Sequence, residues 1–258
     1  VARTALIVQA RMNSSRLPGK VMLRIAGRTM LDYVLARCAL VPGVDDLVCA
    51  TVNDPSCDPV AAEATRLGVN VFRGDEYDVI ARYRGAAEAV GADVVMRVTS
   101  DCPLIDPAVC GAVLRLRAER GLDYACNNMP PSWPHGLDCE AFTLDALRRA
   151  DAQVTELAER EYPTRPMRTL PGWSRVSLLG PGGELADLRL TLDTPADFAL
   201  FEALLPRLRN ADAATLTEIA GVLRQNPALA GLVAGQEVHH GLRRQAPTVS
   251  YTNYLPAL

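Results

Sequence analysis

The chain has 258 residues, with 27 Lys plus Arg against 30 Asp plus Glu for a net charge of −3, 49% hydrophobic residues and 22% charged ones, the balance of a globular protein with a sizeable core. The mild acidity excludes the broad basic field that recruits nucleic acid or acidic lipid, and no apolar run approaches the roughly 20 residues of a membrane-spanning helix. The opening residues show no secretory-leader pattern, so a cytoplasmic protein without nucleic-acid or membrane partners is expected.

In chain order, "TALIVQ" (4–9) is a buried-strand run that stops abruptly and is followed by a polar loop, "ARMNSSRLPGK" (10–20). "TMLDYVLARCAL" has helical spacing, "DLVCATV" is a second strand, and "DPVAAEATRLG" is a helix closed by Gly68. "VNVFRG" and "ADVVMRVTSD" are further strands, each followed by a helix, "EYDVIARYRGAAEAVG" and "PAVCGAVLRLRAERG". This alternation predicts an α/β fold: a mainly parallel sheet with helices on both faces, its core strands apolar throughout. The rhythm breaks near residue 122. "DYACNN" reads as a strand, "NMPPSWPHG" as a Pro-rich loop suited to a lid, "LDCEAFT" as an exposed strand, and "LDALRRADAQ" and "TELAEREYP" as helices. "SRVSLLG" and "LADLRLTLD" read as strands, and "PADFALFEALLPRL" and "ATLTEIAGVLRQN" as helices. One domain over 1–237 is expected, with an inserted segment at about 122–170 and a tail at 238–258.

The seven cysteines, at 38, 49, 57, 102, 110, 126 and 139, form no C-x-x-C pair and read as reduced core residues rather than a disulfide framework or zinc site. His239 and His240 sit in the tail with no metal-ligand pattern and read as surface residues.

Ligands of an open α/β sheet bind beyond the carboxyl ends of its strands. That rule gathers 9–20, 51–54, 73–78 and 100–106. The first segment brings Gln9, Ala10, Arg11, Ser14, Ser15, Arg16 and Lys20, the chain's only lysine. Its amides and hydroxyls can donate to phosphate oxygens and its cations can neutralise a polyphosphate. Neither a Walker motif nor G-x-G-x-x-G is present. "RVTSDCPLID" ends a strand at Asp101, with Arg97 four residues earlier, and Asp106 before Pro107 suits a helix cap. Asp193 in "RLTLDTPADF" either caps the next helix or joins Asp101 in holding Mg²⁺. In "HGLDCEAF", strand alternation puts Asp138 and Glu140 on one face, toward a substrate or toward solvent, with His135 beside them.

Together "VQARMNSSRLPGKVM", "RVTSDCPLID" and "LTLDTPADF" resemble the cytidylyltransferases that activate acidic sugars as CMP conjugates, in particular the branch of spore-coat polysaccharide biosynthesis protein F. "NDPSCDPVAAEATRLGVNVFRGDEYDVIARY" and "HGLDCEAFTLDAL" match that branch too. The resemblance covers about residues 4–233. It implies a nucleotide-diphospho-sugar transferase (Rossmann-like) three-layer fold and an enzyme that transfers CMP from CTP to a small acidic sugar. It implies nucleotide binding by Arg11, Ser14, Arg16 and Lys20, metal binding by Asp101 and Asp193, and a segment with Arg73 and Asp78 bordering nucleotide and sugar. It also implies that dimers form through the inserted segment; the open strand edge at "LDCEAFT" independently predicts a homodimer there, with Trp133 and His135 near the partner's acceptor pocket. Lys20, Arg16 and Asp101 are the expected catalytic residues, Ser100 joins the nucleotide site, and His135, Asp138 and Glu140 are expected at the acceptor. The chain departs from the branch at Ser100, which replaces a Gly, and at Tyr162 and Pro163, which replace His and Val. The rival readings are a metal-dependent glycosyltransferase, for which no D-x-D motif stands at a strand end, and a catalytically silent nucleotide-binding protein.

Overall fold

Strand β1 (Thr4–Gln9) is buried at Ala5, Leu6, Ile7 and Val8 alike, which is why its sequence shows no alternation. Ala5 and Ile7 pack into one core and Leu6 and Val8 into the other, so β1 lies at the middle of three layers. The computed structural model describes residues 2–239 and 252–254.

A two-residue hairpin, β2 (Arg24–Ile25) and β3 (Arg28–Thr29), precedes α1 (Met30–Cys38), which Thr29 caps by accepting from the Asp32 N–H. The regular alternation follows: β4 (Asp46–Val52), α2 (Asp58–Arg66), β5 (Asn70–Gly74), α3 (Val79–Ala89), β6 (Val94–Thr99) and α4 (Pro107–Glu119). Beyond it come β7 (Tyr124–Cys126), β8 (Glu140–Thr143), α5 (Leu144–Gln153), α6 (Leu157–Arg160), α7 (Arg165–Thr169) and β9 (Arg175–Leu178). The chain continues through α8 (Gly183–Ala186), α9 (Pro195–Leu204), α10 (Leu216–Gln225), α11 (Pro227–Gly231) and β10 (Thr252–Tyr254).

Among the described residues the main sheet has eight strands in the order β10-β9-β7-β8-β6-β1-β4-β5. β8 runs antiparallel to both of its neighbours, and the other pairings are parallel. Helices α3, α5 and α7 cover one face, and α1, α2, α4, α9 and α10 cover the other. All seven cysteines are buried and free. No helix among the described residues is long and apolar enough to cross a membrane.

Three expectations are corrected. "LDCEAFT" supplies no exposed edge: β8 is an interior strand, with Glu140 directly opposite Arg97 on β6 and Cys126 on β7. A cross-strand arginine takes up the charge that made the strand read as half-exposed. The Pro-rich loop is fastened down rather than free to close. Trp133 is buried and its Nε1–H donates to Leu178 O at 2.9 Å, while Gly180 N–H donates to Ser132 Oγ at 2.8 Å. "LADLRLTLD" forms the short α8 and then an extended stretch. The N–H groups of Leu190 and Leu192 donate to the loop carbonyls of His135 and Asp101, at 2.7 and 2.8 Å, so the stretch joins no strand ladder. Of the tail, His239 is treated below and β10 pairs with β9; His240, 241–251 and 255–258 lie outside the described residues.

Candidate active site

The carboxyl ends of β1 and β6, adjacent in the sheet, open into a polar cavity. It is lined by Gln9, Ala10, Arg11, Ser14, Ser15, Arg16, Lys20, Arg82, Thr99, Ser100, Asp101 and Asp193. The loop after β1 is shaped by its own backbone. Ser14 N–H and Gly19 N–H both donate to Met12 O, at 3.0 and 2.9 Å, and Gly19 takes a φ of +69°, a left-handed conformation natural to glycine. That turn delivers Lys20 to a short 3₁₀ helix (Lys20–Met22), anchored by the buried Val21.

Lys20 is itself buried. Its Nζ donates to Leu192 O at 2.7 Å, to Asp193 Oδ1 at 2.8 Å and to Asp101 Oδ2 at 3.4 Å. An ammonium has three protons, and all three have acceptors within the protein. The lysine expected to face phosphate therefore clasps two carboxylates. Burial pushes its pKa down, but Asp101 and Asp193 outweigh burial and the net shift is upward. Burial raises the Asp101 carboxyl, while Lys20, the Thr99 hydroxyl and His135 draw it down to about 2. Asp193 is free of the capping role. Thr194 caps α9 in a reciprocal box with Asp197, leaving the Asp193 carboxylate to Lys20, to Arg16 Nη2 at 3.0 Å and, more distantly, to Arg189 Nη2 at 3.8 Å. Asp106 is the cap of α4.

A second cavity shares a wall with the first. Thr99, Asp101 and Asp193 line both; Arg97, Cys102, Asn128, His135, Asp138, Tyr162, Pro163, Thr164, Arg165, Arg168, Thr191 and His239 complete the second. Asp138 is held by Asn128 Nδ2 at 3.1 Å and by the Gly136 N–H at 3.0 Å. His135 is drawn below its ordinary pKa, first by burial and then by His239 and Arg189, against the opposing pull of Asp138 and Asp101.

Glu140, expected at the substrate, lies behind this wall instead. It is 1% exposed and does not line the cavity. It accepts from Arg97 and the Tyr124 hydroxyl and pairs with Arg168 at 3.5 Å. Burial raises its pKa, but the two guanidiniums override burial and bring it to about 2. Glu140 thus balances the arginines that face the cavity. Arg73 and Asp78 also lie outside both linings. Arg73 ties β5 to Asp58 at 2.6 Å and to Asp54 O at 2.8 Å. Asp78 caps α3 and pairs with Arg160 at 2.9 Å. Trp133 faces the chain's own interior, and His135 lines the chain's own cavity.

A cytidylyltransferase family model matches residues 5–154. The chain belongs to the cytidylyltransferase family. It is 39% identical over 211 residues to the 3-deoxy-manno-octulosonate cytidylyltransferase of Maricaulis maris, covering 77% of this chain and 80% of that one. It is 30% identical over 227 residues to the spore coat polysaccharide biosynthesis protein SpsF of Bacillus subtilis, covering 86% and 94%. Among solved structures, a cytidylyltransferase from Leptospira borgpetersenii superposes with a TM-score of 0.85 at 26% identity, over 93% of this chain and all of that one. The nucleotide-diphospho-sugar transferase fold implied by the sequence is the fold of this cytidylyltransferase.

The family's chemistry raises the question of a divalent metal, and the donor set of this cytidylyltransferase fits one. Among the described residues no group of three or more His, Cys, Asp or Glu side chains is arranged around a common point. Mg²⁺ needs fewer: it commonly takes one or two carboxylates and completes its shell with water and substrate phosphates. Asp101 and Asp193, brought together by Lys20, supply that hard-oxygen pair.

Several lining residues escape a reading of the sequence. Arg82 sits within the apolar stripe of α3 beside Ile80 and Tyr83 and is 2% exposed. A charge in such a stripe is the signal that would have found it. Arg97 opens a recognised motif that gives it no role, Arg168 belongs to a stretch with no motif, and His239, which reads as a surface residue, is 2% exposed.

Proposed function

We propose that the enzyme transfers CMP from CTP to a hydroxyl of a small acidic sugar or a similar acceptor, releasing pyrophosphate, in the synthesis of a surface polysaccharide or other glycoconjugate. The observation that carries this reading is the pair of cation-lined cavities meeting at Thr99, Asp101 and Asp193. One, with Arg11, Arg16 and Arg82, suits a triphosphate. The other, with Arg97, Arg165 and Arg168, suits an anion bearing hydroxyls. The named activity of the Maricaulis relative and the polysaccharide-biosynthesis role in the name of the Bacillus relative point the same way.

The acceptor oxygen forms a bond to the α-phosphorus while the bond to the bridging oxygen of the β-phosphate breaks. Pyrophosphate departs and the acceptor proton passes to water. Holding the two reactants across a common wall supplies the main advantage, because such chemistry rests on placement and charge. Gln9, Ala10, Ser14 and Ser100 border the nucleotide. Arg11, Arg16 and Arg82 stabilise the leaving pyrophosphate. Lys20 keeps Asp101 and Asp193 ionised and close. Mg²⁺, when bound with the nucleotide at Asp101 and Asp193, would supply Lewis-acid polarisation of the phosphate. His135 and Asp138 face the acceptor.

We assign the catalytic domain to 1–237 together with His239, which lines the second cavity, and a homodimer to the working enzyme. Of the exposed large hydrophobic residues, Leu157, Tyr162 and Leu170 fall within the inserted segment at 54%, 49% and 46% exposure, apolar side chains that a second copy can bury. Light scattering should give twice 27.8 kDa, and a fully active monomer would remove the dimer. The activity is tested by offering CTP, Mg²⁺ and a panel of acidic sugars, 3-deoxy-manno-octulosonate included, and detecting CMP conjugates by mass. Equal thermal protection by CTP, ATP, GTP and UTP would refute a cytidine-selective site.

A further inference from the structure

After α11 the chain returns to the acceptor cavity. His239 is 2% exposed, and its ring lies against that of His135 with centroids 5.1 Å apart and planes tilted by 39°. Its φ of +55° lies in the left-handed region, which histidine enters more readily than most residues other than glycine. With that turn the His239 N–H reaches Nδ1 of His135 at 3.4 Å. Arg189 Nη1 approaches the same nitrogen at 3.5 Å. Both contacts are long, but both groups can only donate. Arg189 has little freedom to leave: Nε and Nη2 are held by Asp197 at 2.7 and 2.8 Å, and Nη1 also donates to Glu237 O at 2.7 Å. The His239 ring is fixed in turn, its Nε2 donating to Ala186 O at 3.1 Å. A lone pair is therefore required at Nδ1 of His135, and in the neutral ring the proton must sit on Nε2.

We propose that His239 is a positioning residue: its backbone N–H, together with Arg189, fixes His135 as the Nε2-protonated neutral tautomer, so that His135 meets the acceptor as a hydrogen-bond donor and not as a base. The donor's role at an acceptor rests on the function proposed above; the tautomer does not. The group opposite Nε2 on a bound ligand is then a carboxylate, ether or hydroxyl oxygen. The charged and titratable groups around this ring are Asp138, Asp101, Arg189 and His239 itself.

The chain has three histidines, so isotope-labelled imidazole nitrogens give a simple spectrum, with His135 assigned as the signal lost in His135→Gln. In mildly alkaline buffer the full chain should show His135 protonated at Nε2 alone. His239→Pro removes one of the two donors to Nδ1 and should admit a detectable fraction of the Nδ1-protonated tautomer. His239→Gly keeps the N–H, suits the positive φ, and should preserve the single tautomer. A His135 protonated at Nδ1 in the unmodified protein overturns the proposal. So does a folded His239→Pro variant with an unchanged tautomer, or a His239→Gly variant that loses it. If His239→Pro does not fold, the unmodified protein and His239→Gly decide between them. Thermal protection by CTP, measured on the same samples, tests the nucleotidyl-transfer reading separately.

Discussion

Replacing Glu140 with Gln keeps the shape of the side chain and removes the negative charge set between Arg97 and Arg168. The carboxyl is held at about 2, against 4.5 for an unperturbed Glu. At about 1.4 kcal/mol per pKa unit, that difference is worth about 3 kcal/mol of folding stability. Removing one partner from a buried ion pair typically costs about 3–5 kcal/mol, so two independent routes give the same magnitude. The sign follows from the downward shift. The contribution is fully present above the unfolded value and is lost as pH falls through the folded value of about 2. Urea unfolding of the two proteins across a pH series should therefore show a gap of about 3 kcal/mol near neutrality that closes on acidification, where a protonated Glu140 resembles Gln. A gap below about 1 kcal/mol at neutral pH, within the range of an exposed ion pair, would refute the reasoning, as would one that does not change with pH.

Lys20→Ala is expected to lower turnover about a hundredfold or more, and Lys20→Arg to recover only part of it, because the three converging acceptors suit a compact ammonium better than a planar fork; full steady-state activity in Lys20→Arg would refute this. Asp193→Asn should raise the Mg²⁺ concentration needed for half-maximal rate, since α9 keeps its Thr194–Asp197 cap; an early-melting variant with unchanged metal dependence would show a purely structural role. Gly136→Ala should destabilise by at least about 2 kcal/mol in thermal melts, because Gly136 has a φ of +107° and an added Cβ would stand 2.2 Å from Leu190 O. A melting curve unchanged by that substitution would contradict the described backbone there.

What could be read from the sequence followed local rules. Buried strands announce themselves by continuous apolar runs, and the carboxyl-end rule is topological, so the loop after β1 and the ends of β6 could be placed together without coordinates. Lys20, Asp101 and Asp193 do meet at that point. What stayed hidden depended on partners far away in the chain. Glu140 reads as a polar residue until Arg97, 43 positions earlier, is seen opposite it. Arg189 breaks the strand expected around it because its guanidinium is claimed by Asp197 and Glu237, while the neighbouring amides bond to loops. His239 looked like a surface residue because nothing in its neighbourhood tells that the chain folds back over His135. Arg73 and Asp78 lie in a stretch shared with the family, yet each has a structural partner of its own here.

The reach of Lys20 has a consequence for how the molecule is made. Its ammonium finds Leu192 O 172 residues further along. At translation rates of about 5–20 residues per second, roughly ten to thirty seconds separate the emergence of the two ends. Throughout that interval the nascent chain carries a cation destined for the interior, with Asp193 not yet made. The parallel unit β5-β4-β1-β6 can assemble early, but the clasp that unites the two cavities closes only late in synthesis. For the same reason the span matched by the family model, residues 5–154, does not contain the whole clasp. A fragment cut there would retain Lys20, Thr99 and Asp101 and lose Asp193, Arg168 and Arg189, leaving the first cavity without one of the three residues it shares with the second.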